Sequence, residues 1–306
     1  MVKFVKSIKI NQKVSIFLIL ALLSLSISFI YRLPLFSKPG LAIFDSDYEG
    51  ELLAPASFIK NSILNKTSCL WNPYSLCGVP LAAFSNIGFF YMPNIITRLS
   101  FSPDMSNRIL IFFHLFLTCI GLVLYVRLIT HNLASSFVAA LLFICCGPTM
   151  LTVCMASVHK LSTLSWWPWI FWITEKFIRT EKKIYLFLLS GGIGLSLLAG
   201  ELQLFSLMLI FYSVYAIFAV RKNSGKKKYL LFRLFLSCLF GLLIGSIQLI
   251  PSAELTLLSA RLRSFEASVS TSLPLSALLP LFLPYVDWFK EANSLEDILK
   301  FGSFFL

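Results

Sequence analysis

Charge is scarce in this 306-residue chain: Asp, Glu, Lys and Arg make up 13% of it, against 58% hydrophobic residues, and mean hydropathy is +0.83. Soluble globular domains carry about 25% charged residues, so a water-soluble domain is excluded and lipid is the solvent for most of the chain. The seven cysteines include no Cys-x-x-Cys and no Cys/His ligand spacing, which argues against a structural metal site. No phosphate-binding Gly-x-x-x-x-Gly-Lys-Ser/Thr loop and no dinucleotide fingerprint occurs, so an ATP-driven pump is excluded. Repeats of fixed period and low-complexity tracts are also missing.

Apolar runs are plentiful. A membrane span needs about 20 mostly apolar residues, and seven segments meet or approach that length: Val14 to Leu33, Ile109 to Leu128, Leu133 to Val153, Leu161 to Phe177, Ile184 to Gly200, Leu202 to Val220 and Tyr229 to Ile250. The first follows Lys3, Lys6, Lys9 and Lys13 and precedes no Ala-x-Ala site, the pattern of an uncleaved signal anchor. With the amino terminus in the cytoplasm, fifteen of the 26 Lys and Arg fall inside, with only Glu175 and Glu181 beside them; eleven fall outside with twelve acids. This asymmetry is the positive-inside pattern. It accounts for the net charge of +12 without a polyanionic partner, so nucleic acid is not expected.

The expected fold is therefore an all-α polytopic membrane protein in the cell membrane, with about seven transmembrane helices. Its parts are a basic amino terminus and signal anchor (1–33), a long first extracytoplasmic loop with interfacial helices (34–108), the helical bundle (109–250) and a second extracytoplasmic segment (251–306). Inner loops are short and basic, so function belongs outside. The spans hold no acid at mid-helix and only His114, Arg233 and Gln248 as notable polar groups, which weakens an ion-coupled carrier reading.

Immediately after the first span stands Asp45-Ser46-Asp47-Tyr48-Glu49-Gly50-Glu51, four carboxylates at the expected outer surface. A carboxylate there suits a general base acting on a hydroxyl, or a divalent-cation ligand beside a phosphate; the plainer alternative is a solvated acidic loop. Leu52, Ala56, Ile59 and Ile63 then recur at helical spacing and predict an amphipathic helix in the interface. A stiff aromatic stretch follows, with Leu70-Trp71-Asn72-Pro73-Tyr74, Gly78-Val79-Pro80 and Tyr91-Met92-Pro93-Asn94. Cys69 and Cys77 share this loop, either as a disulfide or as two free thiols.

These blocks resemble the bacterial YfhO-type membrane proteins, a branch of the GT-C superfamily of glycosyltransferases. The likeness extends to His159 before Trp167-Pro168, Leu198-Ala199-Gly200 before Gln203, Gln248-Leu249-Ile250-Pro251 before Glu254-Leu255, and Ser272-Leu273-Pro274 before Leu283-Pro284. Glu201 departs from it, standing where the family turn has His. The chain is shorter than typical members and is expected to be an amino-terminal part of one. The resemblance implies a GT-C-like bundle that transfers a sugar from a polyprenyl-phosphate donor to an envelope polymer or lipid acceptor, such as teichoic acid, on the outer face.

On that reading Asp47 is the general base and Asp45 assists it or holds a divalent cation, no other cofactor being required. His159, Glu201, Gln203, Gln248, Glu254, Arg261, Trp71, Asn72 and Tyr91 are candidate substrate-binding residues. Arg261 and Arg263 suit a phosphate clamp or headgroup contact equally. Trp166, Trp167, Trp169 and Trp172 read as an interfacial aromatic belt before they read as sugar-stacking residues. The competing function is a lipid-linked-sugar carrier or flippase, or a non-catalytic envelope-assembly protein.

Overall fold

A computed structural model describes residues 26–27, 53–75, 77–223 and 227–258. Asp45, Asp47, Arg261 and Arg263 lie outside these residues, as does most of the first expected span. The described chain is helical apart from one short hairpin. Its helices are α1 (Ala54–Leu64), α2 (Met92–Ser100), α3 (Pro103–Thr130), α4 (Leu133–Cys145), α5 (Gly147–Cys154), α6 (Val158–Ser165), α7 (Trp167–Thr180), α8 (Ile184–Leu198), α9 (Leu202–Asn223) and α10 (Lys227–Leu258). Between α1 and α2, β1 (Trp71–Asn72) pairs antiparallel with β2 (Val79–Pro80), and two 3-10 turns follow at Leu81–Ala83 and Ser85–Ile87.

Among the described residues three helices are long and apolar enough to cross a membrane: α3, the Leu202–Arg221 part of α9, and α10. The α4 and α5 pair qualifies jointly as a fourth, bent by 49° at its break. The sequence predicted one continuous span over Leu133 to Val153. Pro148 has no N–H to bond the Ile144 carbonyl and its ring would clash with that carbonyl in a continuous helix, so the chain breaks at Cys146, which takes extended dihedrals (φ −71°, ψ 145°), and α5 restarts with Pro148 in its first turn. The Cys146 thiol lies 3.1 Å from the Phe143 carbonyl and 3.0 Å from the Thr149 hydroxyl, so groups freed by the break find partners. The expected fourth span is likewise divided, into α6 and α7, with Pro168 in the first turn of α7.

Local signals set the other boundaries. Ser102 caps α3, Pro103 and Asp104 fill its first turn, and His131 closes it in the left-handed region at φ 57°. Asn132 then caps α4 by accepting from the Ala134 amide at 2.9 Å.

Two apolar cores hold the bundle. One joins Leu110, Leu115 and Cys119 of α3 to Ala140 and Ile144 of α4 and Leu161 of α6, and Ile27 is fully buried against it. The second surrounds Trp167, with Ile170 and Phe177 of α7, Ile193 of α8, and Phe205 and Tyr212 of α9. Trp167 is therefore a packing residue, 1% exposed and surrounded by Phe171, Phe205 and Tyr212. The Trp169 indole donates to the Leu117 carbonyl at 2.9 Å and its ring meets Trp172 edge to face.

Helices α8 and α10 approach closely because glycines line the seam. A Cβ added at Gly241 would sit 2.7 Å from the Ile193 side chain, and one at Gly245 would sit 2.7 Å from Leu197. The four-residue spacing of these glycines is the pattern that lets helices pack backbone to backbone in lipid. Gly245→Leu is expected to push α10 off α8 and cost about 1–3 kcal/mol, read as a lower unfolding midpoint of the protein in lipid nanodiscs.

The end of the bundle away from the hairpin is latched by Glu175 of α7. It accepts from the Tyr215 hydroxyl at 2.8 Å and faces Arg179 Nε at 3.3 Å, while Arg179 also donates to the Leu128 carbonyl at 3.0 Å. One buried carboxylate thereby ties α3, α7 and α9 together.

Candidate functional site

The stretch between α1 and α2 folds back over the other end of the bundle, and glycine makes this contact. Gly200, in the turn between α8 and α9, has φ +119°, and a Cβ there would lie 2.4 Å from the Ser85 carbonyl oxygen. The turn and the loop therefore touch backbone to backbone. Buried side chains secure the loop. Gln248 of α10 donates to the Ala82 carbonyl and to the Ser252 hydroxyl, each at 2.9 Å, and Ser252 donates in turn to the Ala83 carbonyl at 2.8 Å. Asn94 donates to the Ile87 and Gly88 carbonyls, both at 3.3 Å, and Arg98 donates to Ile87 at 2.7 Å.

Next to Gly200 in the same turn, Glu201 meets His159 of α6, Nε2 to Oε2 at 3.3 Å, with side chains 7% (His159) and 14% (Glu201) exposed. The separation is that of an ion pair, but the geometry is not that of a hydrogen bond, and Nδ1 has no hydrogen-bond partner among the described residues. Thr163, one turn beyond His159, accepts from the Glu201 amide at 3.2 Å, and the Ser196 hydroxyl donates to the Thr163 carbonyl at 3.0 Å. Helix α6 thus positions the imidazole and grips the turn that carries the carboxylate.

Alongside lies a directed hydrogen-bond chain. The Trp166 indole only donates and does so to the Tyr91 oxygen at 2.9 Å. The Leu110 carbonyl only accepts and lies 2.7 Å from His114 Nδ1, so Nδ1 carries the proton. His114 Nε2 is then an acceptor, and the Tyr91 hydroxyl donates to it at 2.9 Å. Ser162 Oγ stands 3.3 Å from Nδ1. Tyr91 is fully buried, and burial raises its phenol above the usual range, the Trp166 bond offsetting part of the rise.

The remaining predicted residues divide by burial. Asn72 is buried, its side-chain oxygen accepting from the Tyr74 amide at 3.0 Å, which shapes the hairpin turn. Trp71 is 54% exposed and its ring covers Gly78, where a Cβ would meet it at 2.5 Å. Gln203 and Glu254 are exposed on α9 and α10. Cys69 and Cys77 are free thiols.

Sequence reading missed Thr163, Arg98 and the loop-holding use of Gln248. The i to i+4 spacing of His159 and Thr163 was the available signal for the first; the other two depend on contacts remote in sequence. Among the described residues no group of three His, Cys, Asp or Glu is placed to hold a metal ion, and the Asp45 and Asp47 pair lies outside them.

Fold and site define a predominantly helical protein with helices of membrane-crossing length and a buried His159 paired with part-buried Glu201 beside the turn that touches the aromatic loop. Compared with family models, curated proteins and solved structures, the chain matches none.

Proposed function

We propose that this chain is a multi-pass, GT-C-like cell-membrane glycosyltransferase of YfhO type, with its amino terminus in the cytoplasm. It moves a sugar from a polyprenyl-phosphate donor to a cell-envelope acceptor on the outer face. The observation that carries the reading is the pairing of buried His159 with part-buried Glu201, next to the Gly200 turn that touches the loop, at the end of the bundle that charge asymmetry assigns to the outside. In the reaction the acceptor hydroxyl attacks the anomeric carbon as the bond from that carbon to the donor phosphate oxygen breaks, with inversion. Asp47 takes the hydroxyl proton and the lipid phosphate leaves with the bonding electrons. His159, with Glu201 beside it to favour its protonated form, donates a hydrogen bond to the phosphate. Support for a transferase over a carrier comes from His114, whose two ring nitrogens are both engaged by protein groups.

The test is transfer of radiolabelled sugar from a panel of polyprenyl-phosphate sugars by the protein in lipid nanodiscs. Asp47→Asn is expected to lose turnover by about 10²-fold or more while still binding donor. Glu201→Gln is expected to lower turnover with the Michaelis constant little changed. Transfer that persists undiminished in Asp47→Asn overturns its role as base, and transfer by no form of the protein overturns the reading as an enzyme.

A further inference from the structure

Helix α2 is inside out. Tyr91, Asn94 and Arg98, at helical spacing, are buried, while Met92, Ile96 and Leu99 form the opposite stripe at 60%, 58% and 37% exposure. In water this arrangement is unfavourable twice over, because it desolvates the only charge of the helix and hydrates its apolar residues.

Every polar side chain of α2 is also turned back onto the protein. Asn94 and Arg98 donate to the Ile87 and Gly88 carbonyls as described above, Thr97 to the Pro93 carbonyl at 2.9 Å, and Ser100 to the Ile96 carbonyl at 2.8 Å. These bonds keep the donors of α2 off its outer face, as hydrocarbon outside requires, while Asn94 Oδ1 and Arg98 Nε are buried without a hydrogen-bond partner among the described residues. Burial lowers Arg98 to about 10, which agrees with a guanidinium held away from solvent.

The surroundings identify what covers the stripe. Helix α2 ends two residues before α3, which is long and apolar enough to span a bilayer, and apolar exposure continues through Phe101 and Met105 to Phe113 on α3. At the carboxy-terminal end of α2 the exposed Lys60 ammonium donates to the Phe101 carbonyl at 2.6 Å, placing a cation where headgroups would begin.

We propose that the Met92, Ile96 and Leu99 face of α2 is immersed in the acyl chains of bilayer phospholipids at the edge of the hydrocarbon layer, continuous with the lipid-facing surface of α3. The aromatic loop then stands on the membrane through α2 and not on a polar surface, and the loop carbonyls gripped by Asn94 and Arg98 are fixed at that depth. This inference does not depend on the proposed transferase activity.

The test is electron paramagnetic resonance of the full chain in phosphatidylethanolamine/phosphatidylglycerol nanodiscs. A nitroxide is attached through a genetically encoded ketone side chain at position 96, at position 99 in a second sample, and at position 182 as an exposed control, leaving the native cysteines untouched. At 96 and 99, relaxation by oxygen is expected to exceed relaxation by a water-soluble nickel chelate severalfold, with the order reversed at 182. Nickel accessibility at 96 and 99 equal to that at 182 overturns the proposal in favour of a water-facing helix. Exclusion of both reagents, with spin coupling that vanishes on dilution with unlabelled protein, overturns it in favour of a second copy covering the face.

Discussion

Gly200→Ala is expected to destabilise the protein by about 3 kcal/mol or more, lowering the unfolding midpoint in nanodiscs by about 6–12 °C. Two costs combine at one position. The backbone sits at φ +119°, which side chains with a Cβ rarely adopt, and that Cβ would lie 2.4 Å from the Ser85 carbonyl oxygen. The clash is with backbone, so no rotamer change relieves it. Relief requires the loop to lift from the turn, and Glu201, the next residue, moves with the turn away from His159. Gly191→Ala makes the comparison decisive, because a Cβ at Gly191 meets nothing within 4 Å. At that site the same substitution is expected to be neutral or to stabilise the helix by up to about 1 kcal/mol. Equal effects at the two positions would show that the loop does not rest on Gly200.

Tyr91→Phe is expected to cost about 2–4 kcal/mol although it removes a single oxygen. The hydroxyl is both the acceptor for the Trp166 indole and the donor to His114 Nε2, so its loss strands two groups. His114 cannot compensate by moving its proton, since Nδ1 would then present a lone pair to the Leu110 carbonyl at 2.7 Å. In the Tyr91→Phe, His114→Phe double variant the stranded imidazole acceptor is gone. The loss should therefore fall short of the sum of the single variants by about 1 kcal/mol or more, read from unfolding midpoints in a double-mutant cycle. Additive losses would mean that the hydroxyl and the imidazole do not interact.

Both cases show which kind of information each level held. Helix positions were legible because apolar runs and caps act locally: Ser102, Pro103 and Asp104 start α3, and Asn132 starts α4. Breaks within runs were less legible. Leu133 to Val153 and Leu161 to Phe177 read as uniform apolar stretches, while Pro148 and the Trp166 junction divide them. The predicted stripe of α1 was displaced for a related reason: Pro55, Ala56, Ile59 and Ser62 are buried, whereas Ile63 is 39% exposed, because α1 packs on α2 and the loop with its small residues. Of the candidate site, His159 and Glu201 were named separately, 42 positions apart, and nothing in either local sequence states that they meet. The tryptophans taken as a belt are engaged by the interior, as the Trp166 bond to Tyr91 and the burial of Trp167 show.

The sequence alone determined the lipid environment of this protein and the existence of its long apolar helices. Those properties follow from composition and from periodicity over about 20 residues, each read within one segment. Tertiary structure decided which polar groups are spent on architecture and which distant side chains meet. Gln248, Asn94, Arg98, Asn72 and Tyr91 each use polar atoms in hydrogen bonds that shape or hold the loop, whereas His159 and Glu201 stand 3.3 Å apart without a hydrogen bond between them. That division could not be read in advance. A hydrogen bond is set by a few tenths of an ångström and an angle, and the pairs that matter join loop to helix across as many as 169 positions, as between Ser252 and Ala83.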